Sequence, residues 1–191
     1  MIIVAGLGNP DAKYSRNMHN VGFMVIDKLA EKYGVTFEKR GFNGVYSVKN
    51  VNGEKVMFIK PQTYMNNSGE CLRAAATYYK VPTSNLIVAY DDIDLPIGSV
   101  RIRASGSAGT HNGMRSVVSL LGSEDFPRVR VGIKPDRPVV LIDYVLSDIR
   151  KEDLPEMERA IESAAAALDE FICGEPVDKV MRDHNSVKKN A

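Results

Sequence analysis

The sequence predicts a single α/β domain in which a central mixed, twisted β-sheet is flanked by helices on both faces. Apolar segments typical of buried strands alternate along the chain with segments of helical periodicity. The length of 191 residues, with 44% hydrophobic residues, suits one core. Because no repeat or linker interrupts this alternation, we expect one domain over residues 1–191, with a polar tail from about residue 183 that frays.

The individual elements follow from the apolar pattern and from the turn residues between them. The pattern predicts strands over residues 1–6, 44–49, 55–60, 86–90, 100–104 and 128–133, and helices over about 21–33, 68–79, 114–121 and 151–172. Asn52-Gly53 joins the second and third strands and indicates a hairpin, because both residue types tolerate positive φ. Gly34 and Gly174 follow the last periodic residues of two helices, where glycine commonly ends a helix.

Composition and charge narrow the functional class. The 25 Lys and Arg residues balance 24 Asp and Glu residues, so any contact with nucleic acid must come from a local basic patch. No apolar run is long enough to span a membrane, and the amino terminus lacks a cleavable leader, so we expect a cytoplasmic protein without membrane contact. Cys71 and Cys173 lie on predicted helices and are expected to be small core residues without a disulfide.

The segment after the first strand carries two polar side chains in a turn-rich setting. Gly6-Leu7-Gly8-Asn9-Pro10 ends the strand, and the loop beyond it reaches His19. Ligands of open α/β sheets bind outside the carboxyl ends of the strands. The two glycines also fit an ordinary turn or a dinucleotide-binding loop, but the latter needs a third glycine where this chain has Asp11.

Four loops are richer in polar groups than a connection requires, namely residues 8–20, 60–69, 91–98 and 105–113. Because each follows a predicted strand, several of them could converge at one end of the sheet. Simpler interpretations remain for single residues. Asn66 and Asn112 fit helix N-caps, His111 a surface loop histidine and Tyr64 a partly buried anchor.

Five ordered motifs in these loops and their flanking strands resemble those of the bacterial peptidyl-tRNA hydrolases. They are Gly6-Leu7-Gly8-Asn9-Pro10 with Tyr14 and His19-Asn20-x-Gly22-Phe23; Lys60-Pro61-x-Thr63-x-Met65-Asn66-x-Ser68-Gly69; Asp91-Asp92-x-Asp94-Leu95-Pro96-x-Gly98; Gly109-x-His111-Asn112-Gly113; and Phe126-x-Arg128-x-Arg130-x-Gly132-Ile133. The resemblance implies a monomeric enzyme, independent of metals and cofactors, that hydrolyses the ester between a peptide or N-blocked amino acid and tRNA. It would recycle tRNA from peptidyl-tRNA released prematurely, with a stalled large ribosomal subunit as a further partner.

The resemblance also implies roles for individual residues. Hydrolysis of an ester needs a base near neutral pH, and histidine is the natural candidate, so His19 is expected to activate water. Asp91 would orient His19 and stabilise its charged form, unless it is only a loop or capping carboxylate. Asn9 would distinguish a blocked amino group from a free one, since a carboxamide both donates and accepts hydrogen bonds.

The substrate contacts implied by the resemblance lie on the other loops. Asn66 and Asn112 match positions near the scissile bond, and Tyr14 and Tyr64 match positions that contact the tRNA end or the adjoining peptide. An aromatic face suits such a contact because every base can stack on it.

Phosphate contacts are expected from basic residues near the glycine-rich loop. Arg101 and Arg103 alternate along a strand and therefore share a face, although solvated surface charge is the simpler interpretation for either alone. Further candidates are Arg115, Arg128, Arg130, Lys134 and the carboxyl-terminal Lys188-Lys189.

The chain departs from the family pattern at Asp11, Met18, Thr110 and Lys134-Pro135. We expect these departures to affect loop geometry and RNA contact more than the reaction.

Other functional classes can be weighed on the same residues. A serine hydrolase is disfavoured, since residues 105–109 resemble a nucleophile elbow only in composition. Asp91-Asp92-x-Asp94 could hold Mg²⁺ in a phosphoryl-transfer enzyme. The stronger alternative is a non-catalytic RNA-binding protein of the same fold, against which the presence of His19 and Asp91 argues.

Overall fold

The computed structural model describes residues 1–185 and contains a seven-stranded mixed sheet. The strands are β1 (Ile2–Gly6), β2 (Lys39–Gly41), β3 (Gly44–Val51), β4 (Glu54–Pro61), β5 (Leu86–Pro96), β6 (Val100–Arg103) and β7 (Arg128–Lys134). Their order is β2-β3-β4-β1-β5-β7-β6. The pairs β4-β1, β1-β5 and β5-β7 are parallel, and the outer pairs are antiparallel. The predicted mixed sheet is therefore confirmed.

The helices are α1 (Val21–Lys32), α2 (Ser68–Tyr79), α3 (Asn112–Leu121), α4 (Leu141–Val145), α5 (Leu154–Ile172) and α6 (Val177–His184). Successive side chains of a strand point to opposite faces of the sheet, and each face carries its own core. On one face, α1 and α5 pack with strand residues such as Val4 and Ala89. On the other, α2 and α3 pack with Ile3 and Val88. Helices thus cover both faces, as predicted.

Elements that bury little apolar surface are missing from the predicted set. These are the three-residue strand β2, which pairs with β3 through its backbone, and the helices α4 and α6. In α6 the only fully buried side chain is that of Val180, and α4 has none, so both helices are too short and too exposed to be recognised from an apolar pattern. Strand β5 continues past the predicted end at residue 90 through Asp91 and Asp92, because side-chain partners satisfy both carboxylates inside the sheet.

The first residues of the tail that was predicted to fray, residues 183–185, are instead part of the packed structure. Asp183 and His184 lie within α6, and the Asn185 side chain accepts from the Ile102 backbone nitrogen at 2.6 Å and donates to the Ile102 oxygen at 3.1 Å. Residues 186–191, including Lys188-Lys189 and most of the tail predicted to fray, lie outside the described residues.

Two further expectations concern cysteines and membranes. Cys71 is buried as predicted, but Cys173 is exposed because it directly follows the last residue of α5, where the helix no longer covers it. Among the described helices, none is long and apolar enough to cross a membrane.

Helix α1 begins directly against the carboxyl end of β1 and the neighbouring part of β5. A Cβ atom at Gly22 would lie 2.5 Å from the carbonyl oxygens of Leu7 and Ala89, so only glycine permits this approach. The short 3₁₀ helix that precedes α1 carries His19. The close approach therefore brings His19 to the middle of β5, where Asp91 lies.

Candidate active site

Asp91 lies between two histidines. Both oxygens of its carboxylate are 2.9 Å from Nδ1 of His19, and Oδ1 is also 3.0 Å from Nε2 of His111. Asp91 is 3% exposed, and the side chains of His19 and His111 are 14% and 10% exposed. The predicted pairing of His19 with Asp91 is thus present, and a second imidazole shares the same carboxylate.

The hydrogen bonds define which nitrogen of each ring carries a proton. Nδ1 of His111 accepts a hydrogen bond from the backbone nitrogen of Met114 at 3.1 Å and caps α3, so it must present a lone pair. The proton of this ring is then on Nε2, which donates to Asp91. In the same way Nδ1 of His19 donates to Asp91, which leaves Nε2 of His19 as a free acceptor for a proton.

The environment keeps Asp91 ionised. Burial by itself would raise the pKa of the Asp91 carboxyl. The charge interactions with His111 and His19, together with the hydrogen bonds from both rings, outweigh burial and hold the pKa well below its usual range. A carboxylate that stays charged can stabilise an imidazolium on His19 while a proton is being transferred.

Asn9 is held by Asn20 from its own loop and by Met65 from the loop after β4. Its backbone nitrogen donates to Oδ1 of Asn20 at 2.8 Å, and Nδ2 of Asn20 donates to the Asn9 oxygen at 2.9 Å. Its side-chain Oδ1 accepts from the backbone nitrogen of Met65 at 2.9 Å. Nδ2 of Asn9 has no hydrogen-bond partner among residues 1–185, so this donor is available to a ligand. Asn20, the residue after His19, therefore holds the backbone of Asn9, and Met65 holds its side chain.

A cavity of 570 Å³ opens beside the two histidines. The predicted site residues that line it are His19, Asp91, Asn112 and Arg103, and the further candidates Arg128 and Arg130 line it as well. Leu141, Ile142 and Val145 of α4 form an apolar part of its wall. Asn112 is the first residue of α3 and is not its N-cap, which is His111. The Asn112 side chain is exposed and bonds to no described residue, so it is free to bind a ligand.

Other predicted residues lie outside this cavity. In the part of the chain that the structure describes, Asn9, Asn66, Tyr14, Tyr64 and Arg101 are not among the residues that line it. Asn66 is exposed in the 3₁₀ helix Met65–Asn67, directly after the residue that binds Asn9. The Tyr64 side chain is 50% exposed and its hydroxyl donates to Asp11, so Tyr64 is not the partly buried anchor considered in the sequence analysis.

Tyr14 is half-buried, with Nζ of Lys13 4.8 Å from its ring centroid.

The arginines near the glycine-rich loop have different environments. Arg101 and Arg103 share a face of β6, because the residue between them, Ile102, is buried on the other side. Arg128 is 1% exposed and donates to the backbone oxygens of Phe126, Ser107 and Glu124, so it anchors this loop and is not available to phosphate. Its neighbour Arg130 lines the cavity and forms an ion pair with Asp92.

Comparisons with known proteins agree with this geometry. A family model described as "Peptidyl-tRNA hydrolase" matches residues 3–191. The chain belongs to the peptidyl-tRNA hydrolase family. It is 45% identical to the Bacillus subtilis peptidyl-tRNA hydrolase over 97% of this chain and 99% of that protein, and 43% identical to the Bacillus cereus (strain Q1) protein over 97% and 100%. The crystal structure of peptidyl-tRNA hydrolase from Acinetobacter baumannii superposes with a TM-score of 0.91 at 30% identity, covering 98% of this chain and 96% of that one.

The departures from the family pattern lie at positions with different surroundings. Met18 is completely buried in the core beside α1, where an apolar side chain fits. Thr110 and Lys134 are exposed and leave the histidine pair untouched. Asp11 is the departure with a side-chain partner, the Tyr64 hydroxyl.

His19, Asp91 and His111 could also hold a metal ion, since one ligand atom of each lies within 4.8 Å of the others. The Asp91 carboxylate already accepts hydrogen bonds from Nδ1 of His19 and Nε2 of His111. A metal ion bound by these same nitrogens would replace those hydrogen bonds.

Sequence reasoning missed two residues of this site. The pattern favoured a surface loop histidine at His111, and Asn20 appeared only as part of a motif. His111 stands three residues before the predicted helix at about residue 114, close enough to be its N-cap, and a capping ring is held against the helix end. For Asn20 no pattern of polarity or spacing indicated that its amide would bind Asn9 from eleven residues away.

Proposed function

We propose that this protein hydrolyses the ester bond of peptidyl-tRNA and releases peptide and free tRNA. Its family membership supports this reaction. The observation that carries the assignment is the His19 ring, which donates through Nδ1 to a buried carboxylate and leaves Nε2 free beside a cavity. Such an arrangement supplies a base for water, and the ester to be cleaved needs no stronger nucleophile.

The reaction follows from these groups in two steps. Nε2 of His19 removes a proton from a water molecule as the water oxygen bonds to the ester carbonyl carbon, and Asp91 stabilises the imidazolium that forms. The tetrahedral intermediate then breaks its bond to the ribose oxygen, which takes the proton back from Nε2. Asn112 is exposed at the cavity and can donate its amide to the carbonyl oxygen, where negative charge develops.

Asn9 provides selectivity for a blocked amino group in this proposal. Its Oδ1 is committed to Met65, so only the Nδ2 donor faces a ligand. A donor matches the carbonyl oxygen of the amide that follows in a peptide or N-acetyl group. A free ammonium group offers no acceptor, and a polar group left unpaired costs about 1–3 kcal/mol.

The tRNA end is assigned to the surfaces around the cavity. Arg103 at the cavity and Arg101 on the same strand face suit phosphates, which position a nucleic acid without reading its sequence. Tyr14, Tyr64 and Asn66 are accessible beside the Asn9 loop and suit the terminal nucleotide and the adjoining peptide.

The cellular setting is part of the same proposal. The protein would act in the cytoplasm as a monomer, without metal or cofactor, and would recycle tRNA from peptidyl-tRNA released prematurely. A stalled large ribosomal subunit is a further proposed partner.

The deciding experiment is peptide release from N-acetylaminoacyl-tRNA, with the same tRNA carrying a free amino acid as the matched control. We expect rapid release of the N-acetylamino acid and slow hydrolysis of the control. Binding of tRNA without release would support the alternative, a non-catalytic RNA-binding protein of the same fold, and would refute the proposed reaction.

A further inference from the structure

Two contacts join the loop after β1 to the loop after β4. The buried contact is the hydrogen bond from the Met65 nitrogen to Oδ1 of Asn9. The exposed contact is the hydrogen bond from the Tyr64 hydroxyl to the Asp11 carboxylate, at 3.1 and 3.3 Å to its two oxygens. We propose that Asp11 is a positioning residue that fixes the Tyr64 ring in the orientation that receives the tRNA end, an inference that rests on the proposed function.

Local folding does not account for the carboxylate of Asp11. The residue precedes the 3₁₀ helix Ala12–Tyr14, with φ −69° and ψ 141°, but its side chain makes no capping hydrogen bond. The turn is closed by its backbone oxygen, which accepts from the Tyr14 nitrogen at 2.9 Å and needs no particular side chain. Among the described residues, the hydrogen-bond partner of the carboxylate is the Tyr64 hydroxyl.

Tyr64 is held in an unfavourable backbone conformation at the edge of the site. Its φ of 58° and ψ of 163° lie in a region that favours glycine, and a larger residue remains there only where its neighbours hold it. The hydrogen bond from the Met65 nitrogen to Asn9 and the hydrogen bond from the Asn67 nitrogen to the Tyr64 oxygen engage both polar groups of the peptide that follows Tyr64. The ring itself is half exposed, and the hydroxyl contact with Asp11 fixes its outer end.

A ring that is fixed before binding loses less conformational freedom when a base or a peptide packs on it. The charge of Asp11 acts in the opposite direction, because a carboxylate beside bound RNA repels phosphate. Positioning and charge therefore predict changes of opposite sign when Asp11 is replaced, which allows the two effects to be separated by experiment.

The first measurement concerns the contact itself and does not depend on activity. Its hydrogen bond to Asp11 raises the pKa of the Tyr64 hydroxyl above the usual value, so tyrosine-ring NMR across a pH series reports whether the contact forms. Tyr64→Phe identifies the resonance. We expect Asp11→Ala to lower the pKa of Tyr64; an unchanged Tyr64 titration in Asp11→Ala would overturn the proposal.

The second measurement is a double-mutant cycle on N-acetylaminoacyl-tRNA hydrolysis. We expect Asp11→Ala and Tyr64→Phe each to raise KM about two- to tenfold at unchanged kcat, and the double variant to be no worse than either single one. Asp11→Asn keeps an acceptor but removes the charge, so its KM should stay at or below that of the unmodified chain. In the Tyr64→Phe background Asp11 has no hydroxyl to hold, so the change in KM caused by Asp11→Ala there measures the effect of its charge alone.

Additive effects of Asp11→Ala and Tyr64→Phe on KM would contradict positioning, as would a KM that Asp11→Ala lowers equally in both backgrounds. A failure of the unmodified chain to release the N-acetylamino acid would instead contradict the proposed function. The tyrosine titration would then still show whether Asp11 holds the ring.

Discussion

Replacing Asp91 with asparagine tests the histidine arrangement most directly, because it changes one oxygen to an NH₂ group at nearly constant volume. His111 must donate through Nε2, since its Nδ1 already accepts from Met114. The introduced amide would therefore keep its oxygen at the shared position near Nε2, 3.0 Å away in the unmodified chain. Its NH₂ group would then take the place of Oδ2, which lies 2.9 Å from Nδ1 of His19.

An NH₂ group at that distance donates to Nδ1 of His19 and moves the ring proton to Nε2, the nitrogen that should accept a proton from water. The expected loss in kcat is the whole contribution of a general base, about 10²–10⁴, which corresponds to about 3–5 kcal/mol in the barrier. The loss lies toward the lower end if the amide oxygen, which replaces an atom also 2.9 Å from Nδ1, retains the productive tautomer in part.

Single-turnover release from N-acetylaminoacyl-tRNA measures this loss separately from tRNA affinity, which should be nearly unchanged. Asp94→Asn is the matched control, because Asp94 lies on the same strand and at the same cavity, and its carboxylate contacts no described histidine. The acid limb of the pH–rate profile of Asp91→Asn should also move to lower pH, since the amide stabilises the charged imidazolium less. A folded Asp91→Asn protein with an unchanged rate and profile would refute the catalytic role of Asp91.

Further predictions address the remaining parts of the site. His19→Ala should lower the rate at least about a hundredfold at nearly constant tRNA affinity, and near-normal turnover would contradict the role of His19 as the base. Asn9→Ala should erode the preference for N-acetylaminoacyl-tRNA over free aminoacyl-tRNA, because the Nδ2 donor is lost; equal selectivity would refute this role. Replacing Arg101 and Arg103 with Ala should raise KM more than it lowers kcat, and each lost phosphate contact should reduce the slope of log affinity against log salt by about 0.7–0.9. Coincident slopes would show that neither arginine meets RNA. A strong chelator should leave the rate unchanged, whereas a loss of activity that Mg²⁺ restores would indicate a metal enzyme.

The fold was predictable from the sequence where burial is strongly patterned. The segment that ends with Ala5 is apolar throughout because both of its faces are covered, and Val21, Val25 and Leu29 repeat at helical spacing because one face of α1 is buried. Helices α4 and α6 have only five and eight residues, a length over which an apolar period cannot be told from chance. The predicted end of β5 is too early because a polar residue in a strand normally marks its end, and here Asp91 is stabilised by partners from distant loops.

The site was predictable only in part for a related reason. A loop that follows a parallel strand must lie at one edge of the sheet, so the nearness of the Asn9, His19 and Asp91 loops follows from topology. Which side chains of these loops form hydrogen bonds with one another depends on differences of a few tenths of an ångström in the distances between their polar atoms. Periodicity carries no information at that scale, and the burial of Arg128 under the glycine-rich loop could not be distinguished from an exposed basic residue.

The Asp91 carboxylate, which accepts hydrogen bonds from both histidines, contributes to the stability of the fold as well as to the proposed reaction. The pKa of Asp91 is lowered, so the stability that its ionised form contributes is present above the unfolded value near 4 and is lost only as pH falls through the lower folded pKa. Asp91 therefore stays charged at every pH at which the enzyme is expected to work. Nδ1 of His111 already accepts the hydrogen bond from the Met114 nitrogen that caps α3. Among the described residues, Nε2 of His19 is the ring nitrogen of this site that has no hydrogen-bond partner, and we therefore propose that the proton from water goes to His19.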